Sequence, residues 1–100
     1  MEVAVIESDG GIRTCVEMFL KDEGHTVIGY REIPPTYDGI DVVIFGPNIT
    51  VPETLKNTLS ELHIPHIQLP YFVLDMDDIM EQISSFTRTE QRLIEDRTLL

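Results

Sequence analysis

Residues 41–47 read Asp-Val-Val-Ile-Phe-Gly-Pro. Four large apolar residues in a row, three of them β-branched and followed by a Gly-Pro turn, are typical of a short strand that is buried on both faces. Such a strand belongs in the middle of a parallel sheet, where ligands and reactive groups lie beyond the carboxyl ends of the central strands. That position is taken here by Gly46, Pro47 and Asn48. None of the three is an acid or a nucleophile.

The composition is that of one soluble globular domain. Of the 100 residues, 42% are hydrophobic and 25% are charged, and a chain of this length forms a single core. The formal net charge of -11 argues against nucleic acid as a partner, because few side chains are available to neutralise phosphates. A basic protein surface is compatible with that charge.

The compartment that we expect is the cytoplasm. The single cysteine, Cys15, excludes an internal disulfide and fits a reducing environment. No stretch resembles a signal peptide, and no apolar run approaches the ~20 residues that a membrane span needs. Because Cys15 falls on the apolar side of the first predicted helix, we expect a buried and inert thiol.

Apolar periodicity predicts four strands and three helices in the order β-α-β-β-α-β-α, followed by a tail. The strands are predicted at residues 3–6, 25–29, 41–45 and 65–70. The helices are predicted at residues 12–23, between Pro52 and His63, and from Asp75 to Phe86. Four parallel strands in the spatial order 2-1-3-4 form a three-layer, flavodoxin-like α/β fold with helices on both faces of the sheet.

Short polar motifs predict where the helices begin and end. Gly24 suits the residue that follows the first helix, where φ is often positive. Thr50 and Glu53 have the spacing of a capping box for the second helix. Asp75 suits the cap of the third.

The α/β domain is predicted to cover residues 1–86, and residues 87–100 form a helical or frayed C-terminal tail. Thr87 and Glu90 have the spacing of a capping box that starts a fresh helix. One interpretation of this charged tail is a solvated terminus. The other is that three of its apolar side chains dock on a second copy of the chain: Leu93, Ile94 and Leu100.

A crevice is expected between the loops that follow the first and third strands. Its acidic members, Glu7 and Asp9, are candidates for a general acid/base pair or a weak Mg²⁺ site, and capping of the first helix explains them as well. The apolar residues 71–74 either fold over the core or form a patch for a partner. The candidate crevice and partner residues are Glu7, Ser8, Asp9, Gly10, Gly46, Pro47, Asn48, Tyr71 and Phe72.

Residues 5–13 and 19–27 resemble the opening of a response-regulator receiver domain. They read Val-Ile-Glu-Ser-Asp-Gly-Gly-Ile-Arg and Phe-Leu-Lys-Asp-Glu-Gly-His-Thr-Val, with the strand, acidic turn, helix and second strand of that family. Residues 41–45 and 64–69 resemble its third and fourth strands. The resemblance implies a receiver-like fold, shortened here by about one strand and one helix.

The receiver family's functional positions are altered in this sequence. Its phosphoacceptor aspartate corresponds to Gly46, and its hydroxyl residue at the end of the fourth strand corresponds to Pro70. Of the acidic pair that holds Mg²⁺, Glu7 is kept and Ser8 replaces its neighbour. The resemblance therefore implies a pseudo-receiver that works by binding, without phosphorylation.

Residues 37–49 are similar to a second family, the enzyme IIB subunit of lactose/cellobiose-type sugar phosphotransferase systems, whose corresponding strand also ends in Gly-Pro. The chain length and the four-strand layout agree as well. That family carries phosphate on a cysteine at the end of the first strand, and Glu7 holds this position here. This resemblance implies a phosphotransfer protein with altered chemistry.

Together these features predict a non-catalytic signalling module that binds a protein partner. A homodimer is one such arrangement, and we expect no cofactor, bound metal, nucleic acid or membrane. The alternatives are the altered IIB-like phosphotransfer protein and an α/β domain that binds a small ligand in the crevice.

Overall fold

The computed structural model describes residues 1–70 and 76–98. Their elements follow the predicted order, so the β-α-β-β-α-β-α prediction is confirmed. The elements are β1 (Glu2–Ile6), α1 (Gly10–Asp22), β2 (Thr26–Tyr30), β3 (Val42–Phe45), α2 (Glu53–Glu61), β4 (His66–Gln68) and α3 (Met76–Thr98).

The four strands form one parallel sheet in the order β2-β1-β3-β4. The flavodoxin-like fold class predicted from the sequence is therefore confirmed. The two central strands are in register from Val3 opposite Val42 to Ile6 opposite Phe45. Their carboxyl ends consequently lie side by side, while β2 and β4 form the edges.

The core has two halves, one on each face of the sheet. Because successive strand residues point to opposite faces, Val3 and Val5 pack in the cluster that includes α1 and α3. Ala4 and Ile6 pack in the cluster that includes α2. All four residues of β3 are fully buried, as its unbroken apolar run predicts.

Helix α1 ends as predicted, but it begins at Gly10, two residues before the predicted start, and its thiol environment differs from the prediction. Gly24 has a φ of 92°, which confirms it as the residue that ends the helix. Cys15 is exposed, so the prediction of a buried thiol is wrong. The buried face of α1 is centred on Val16 and Leu20, and Cys15 is rotated by ~100° from Val16, which places it at the margin of that face.

The capping box predicted for α2 is wrong. The helix begins at Glu53, and its N-cap is Pro52, in an extended conformation and without a side-chain cap bond. Thr50 therefore lies two residues outside the cap position, where its hydroxyl cannot serve the first turn. The predicted cap at Asp75 lies outside the described residues.

Helix α3 runs unbroken from Met76 to Thr98, so the fresh helix predicted at Thr87 is wrong. Thr87 is buried in the middle of α3, where its hydroxyl donates to the carbonyls of Ile83 and Ser84 at 3.1 Å each. This back-bonding satisfies the hydroxyl within the helix. The boundary predicted at residues 86 and 87 thus falls inside a helix. Within the described chain, no helix combines the length and apolar character needed to cross a membrane.

Candidate functional site

The candidate site lies where β1 and β3 end. Because Ile6 pairs with Phe45, the residues that follow, Glu7 and Gly46, are also neighbours. The backbone N–H of Gly46 donates to the carbonyl of Ile6 at 2.8 Å. The loops after β1 and β3 therefore meet at the carboxyl edge of the sheet.

The side chain of Glu7 fills the space beside Gly46. It is fully buried, with 0% of its surface exposed. A Cβ atom placed on Gly46 would approach Glu7 Cβ and Cδ to 2.7 Å, closer than real Cβ atoms come to their neighbours. Any larger residue at 46 therefore requires Glu7 to move.

Both carboxylate oxygens of Glu7 accept hydrogen bonds. Oε1 accepts from the backbone N–H of Asn48 at 2.9 Å. Oε2 accepts from the backbone N–H of Asp9 at 2.7 Å and from Asn48 Nδ2 at 3.1 Å, with the Ser8 hydroxyl at 3.4 Å. Every partner is a donor, which suits a carboxylate that can only accept. These charge-assisted bonds compensate for burial and join the two loops.

The second acid of the turn has a different task. Asp9 is the N-cap of α1, and its Oδ1 accepts from the backbone N–H of Ile12 at 2.9 Å. The capping interpretation therefore describes Asp9 and not Glu7. Across residues 1–70 and 76–98, no group of three or more His, Cys, Asp or Glu side chains is placed to hold a metal ion.

Sequence patterns do not single out two polar side chains that lie at this edge. Arg13 Nη1 donates to the backbone carbonyl of Glu7 at 2.7 Å. Gln68 Nε2 donates to the carbonyls of Gly46 and Ile49. Gln68 lies here because it pairs with Phe45 in the register of β3 and β4. The apolar pattern of the sequence alone does not reveal this pairing.

The remaining candidate residues for the crevice and the dimer contact lie in different parts of the protein. Ser8, Gly10 and Asn48 are exposed around the crevice, and Pro47 is buried. Tyr71, Phe72 and Leu100 lie outside the described residues. The remaining two, Leu93 and Ile94, lie on α3 away from the crevice, with Leu93 45% exposed.

Two groups elsewhere have shifted pKa values. Burial lowers the pKa of His25, and the positive amino group of Met1 lowers it further. Burial raises the pKa of Tyr37, and Tyr30 adds to the rise. Neither residue belongs to the crevice, so these shifts describe packing and not the candidate site.

No protein-family model matches the chain, and no curated protein matches it in sequence. Among solved structures, it is similar to a CheY-like response regulator receiver domain protein from Methanospirillum hungatei JF-1. The identity is 16% and the TM-score 0.47, over 91% of this chain and 97% of that one. A likeness at this level says nothing about activity. The strand order itself establishes the flavodoxin-like fold.

Proposed function

We propose that the chain is a non-catalytic signalling module, a pseudo-receiver that acts through protein–protein contacts independently of phosphorylation. The flavodoxin-like strand order and the receiver-like opening of the sequence support a signalling role. The observation that carries the proposal is the buried Glu7 carboxylate beside Gly46.

Phosphoryl transfer requires an acceptor oxygen that the donor reaches in line, together with positive charge around the transferred group. Gly46 has no side chain to serve as acceptor. The oxygens of Glu7 are already bound by the amide groups of Asp9 and Asn48. A phosphate entering the crevice would also meet the negative charge of Glu7, which opposes its binding.

In this proposal the Glu7 contacts hold the two loops in one arrangement. A surface held in this way is already formed before a partner arrives, so that less conformational entropy is lost on binding. Its exposed polar groups include Ser8, Asp9 and Asn48. A partner with a basic surface fits the net charge of -11, and a second copy of the chain is the other candidate partner.

The test is incubation of the full chain with acetyl phosphate, or with beryllofluoride and Mg²⁺, followed by mass spectrometry and amide NMR. We expect no phosphoryl adduct and no movement of the signals of Glu7, Ser8, Asp9 and Gly46. An active receiver domain treated in parallel shows that the reagents work.

A phosphoryl adduct, or shifts confined to those four residues, would overturn the proposal. Phosphate accepted from the phosphohistidine of a sugar phosphotransferase donor, but not from acetyl phosphate, would instead support the IIB-like alternative. The result with acetyl phosphate therefore separates the two families that the sequence resembles.

A further inference from the structure

The inner face of α3 continues beyond the part that covers the sheet. Ile79, Ile83 and Phe86 of this face pack in the core. At the helical spacing of three and four residues, the same face continues through Glu90, Leu93, Ile94 and Arg97, which we call the α3 stripe. The stripe lies beside the segments that precede β3 and β4. This is the amino-terminal end of the strands, whereas the crevice lies at their carboxyl ends.

A cavity of about 130 Å³ separates the α3 stripe from the body of the protein. Its other wall includes Ile40, Leu62 and Ile64. Leu62 is 54% exposed and Leu93 is 45% exposed, so large apolar side chains on both sides of the cavity face water. Exposed apolar side chains on both sides of one cavity are typical of a site that binds another protein.

The charges of the stripe make it complementary to itself. Glu90 and Arg97 stand at its two ends, with Leu93 and Ile94 between them. When two such stripes lie antiparallel, about a two-fold axis between Leu93 and Ile94, each Glu90 faces Arg97 of the other copy. A parallel arrangement would instead place like charges together. Neither Glu90 nor Arg97 has an ion-pair partner within the described chain.

The distribution of charge favours this segment for self-association. Residues 87–100 are neutral, with three basic and three acidic side chains, so the whole excess of -11 belongs to residues 1–86. Two copies that approach through the tail therefore repel each other less than through any strongly acidic surface. The six charged residues are Arg88, Glu90, Arg92, Glu95, Asp96 and Arg97.

We propose that a second copy of this chain docks on the α3 stripe, with the two α3 helices antiparallel and the symmetry axis between Leu93 and Ile94. The contact is isologous, as expected of a two-fold dimer. The inference deepens the proposed function, on which it rests, because it names one partner of the interaction module and the surface that binds it.

Charge reversal of the stripe tests the proposal in the full chain. Glu90→Arg makes both ends of the stripe positive, and Arg97→Glu makes both negative. Each variant replaces two symmetric attractions by two repulsions, so we expect the dimer dissociation constant to rise roughly tenfold or more. An equal mixture of the two variants restores both attractions and is expected to form a heterodimer. Sedimentation velocity measures the mass of each variant and of the mixture.

Arg92→Glu is the matched control for Arg97→Glu. Arg92 is exposed and lies on the far side of α3 from the stripe, so the same change of charge there leaves the dimer intact. The double variant Glu90→Arg/Arg97→Glu keeps the net charge and is expected to dimerise like the wild type. Circular dichroism verifies that all variants are folded.

A wild-type chain that remains monomeric at the highest concentrations would overturn the proposal, as would single variants that fail to combine. The phosphorylation test reports on the crevice, which lies at the carboxyl ends of the strands and away from the α3 stripe. A monomer without a phosphoryl adduct therefore removes the dimer and leaves the proposed function, whereas a phosphorylated chain removes the proposed function.

Discussion

At Gly46 the backbone that follows β3 passes so close to Glu7 that the absence of a side chain is a packing requirement. Gly46→Ala is expected to destabilise the protein by about 1–3 kcal/mol, because its Cβ would meet Glu7 Cβ and Cδ at 2.7 Å. Urea unfolding measures the change. Gly10→Ala is the matched control, since a Cβ there meets Arg13 at 3.6 Å, an ordinary contact.

The same clash predicts non-additivity. Glu7→Ala removes the Cδ and carboxylate atoms that Gly46→Ala strikes and leaves only the Cβ contact, so the double variant is expected to be more stable than the sum of the two single effects indicates. Additive effects would mean that the two residues are not coupled, and the account of Gly46 would be wrong.

Tyr37 is a residue whose polar atom has no partner. Its hydroxyl oxygen is buried and makes no hydrogen bond to the described residues. Because removal of an unsatisfied buried polar group relieves its desolvation cost, Tyr37→Phe is expected to be neutral or to stabilise by about 1 kcal/mol. A clear loss of stability in a thermal or urea melt would imply a partner for the hydroxyl.

The raised pKa of Tyr37 adds a dependence on pH. Burial, and then Tyr30, raise it above its ordinary value of 10.0. Below pH 10 the phenol is neutral in both states and its contribution is complete. As the pH rises further, the unfolded chain loses this proton first, so the folded state is progressively destabilised. The Tyr37→Phe variant is expected to lose less stability than the wild type over this range.

At this scale the sequence predicted where the site lies but not what Glu7 does there. The adjacency of the two central strands follows from their buried apolar runs, and it places Glu7 near Gly46. The direction of the Glu7 side chain depends on hydrogen bonds from Asn48, 41 residues away. Such contacts arise only after the strands pair, so periodicity does not contain them.

The helices show that a residue with the spacing of a capping box need not be a helix cap. Asp9 caps α1 through the N–H of Ile12, whereas Thr50 lies outside α2 and makes no cap bond. Asp9→Ala is therefore expected to destabilise the protein by about 1 kcal/mol, and Thr50→Ala by much less. Thermal unfolding of the two variants compares them directly. Equal losses would contradict the assignment of the caps.

Strand positions were more predictable than helix starts for a physical reason. An apolar run such as residues 42–45 is buried wherever the sheet forms, so its pattern is decisive. A Thr-x-x-Glu spacing occurs by chance inside or outside a helix, and the wrong interpretations of Thr50 and Thr87 both rest on it. In α3 the surrounding core decides, because Thr87 continues the buried face that contains Ile83.

The shape of the whole molecule follows from the length of α3. The Cα extents are 42 × 29 × 19 Å, and α3 has 23 residues, which corresponds to ~34 Å of helix. Strand β4 has only three residues, or ~10 Å. Because the sheet is much shorter than α3, only the first turns of the helix can pack on it. The C-terminal half of α3 therefore depends on other contacts.

Removal of residues 89–100 tests this view of the molecule. The shortened chain keeps Thr87 and the core face of α3, so we expect the sheet to fold and only about three turns of helix to be lost by circular dichroism. Because the α3 stripe is absent, the chain is expected to be monomeric. Its unfolding temperature should then be independent of protein concentration, whereas that of the full chain rises with concentration. A shortened chain that still sediments as a dimer would place the contact on another surface. The first candidate is the outer edge of β4, which pairs with no other strand of the described residues.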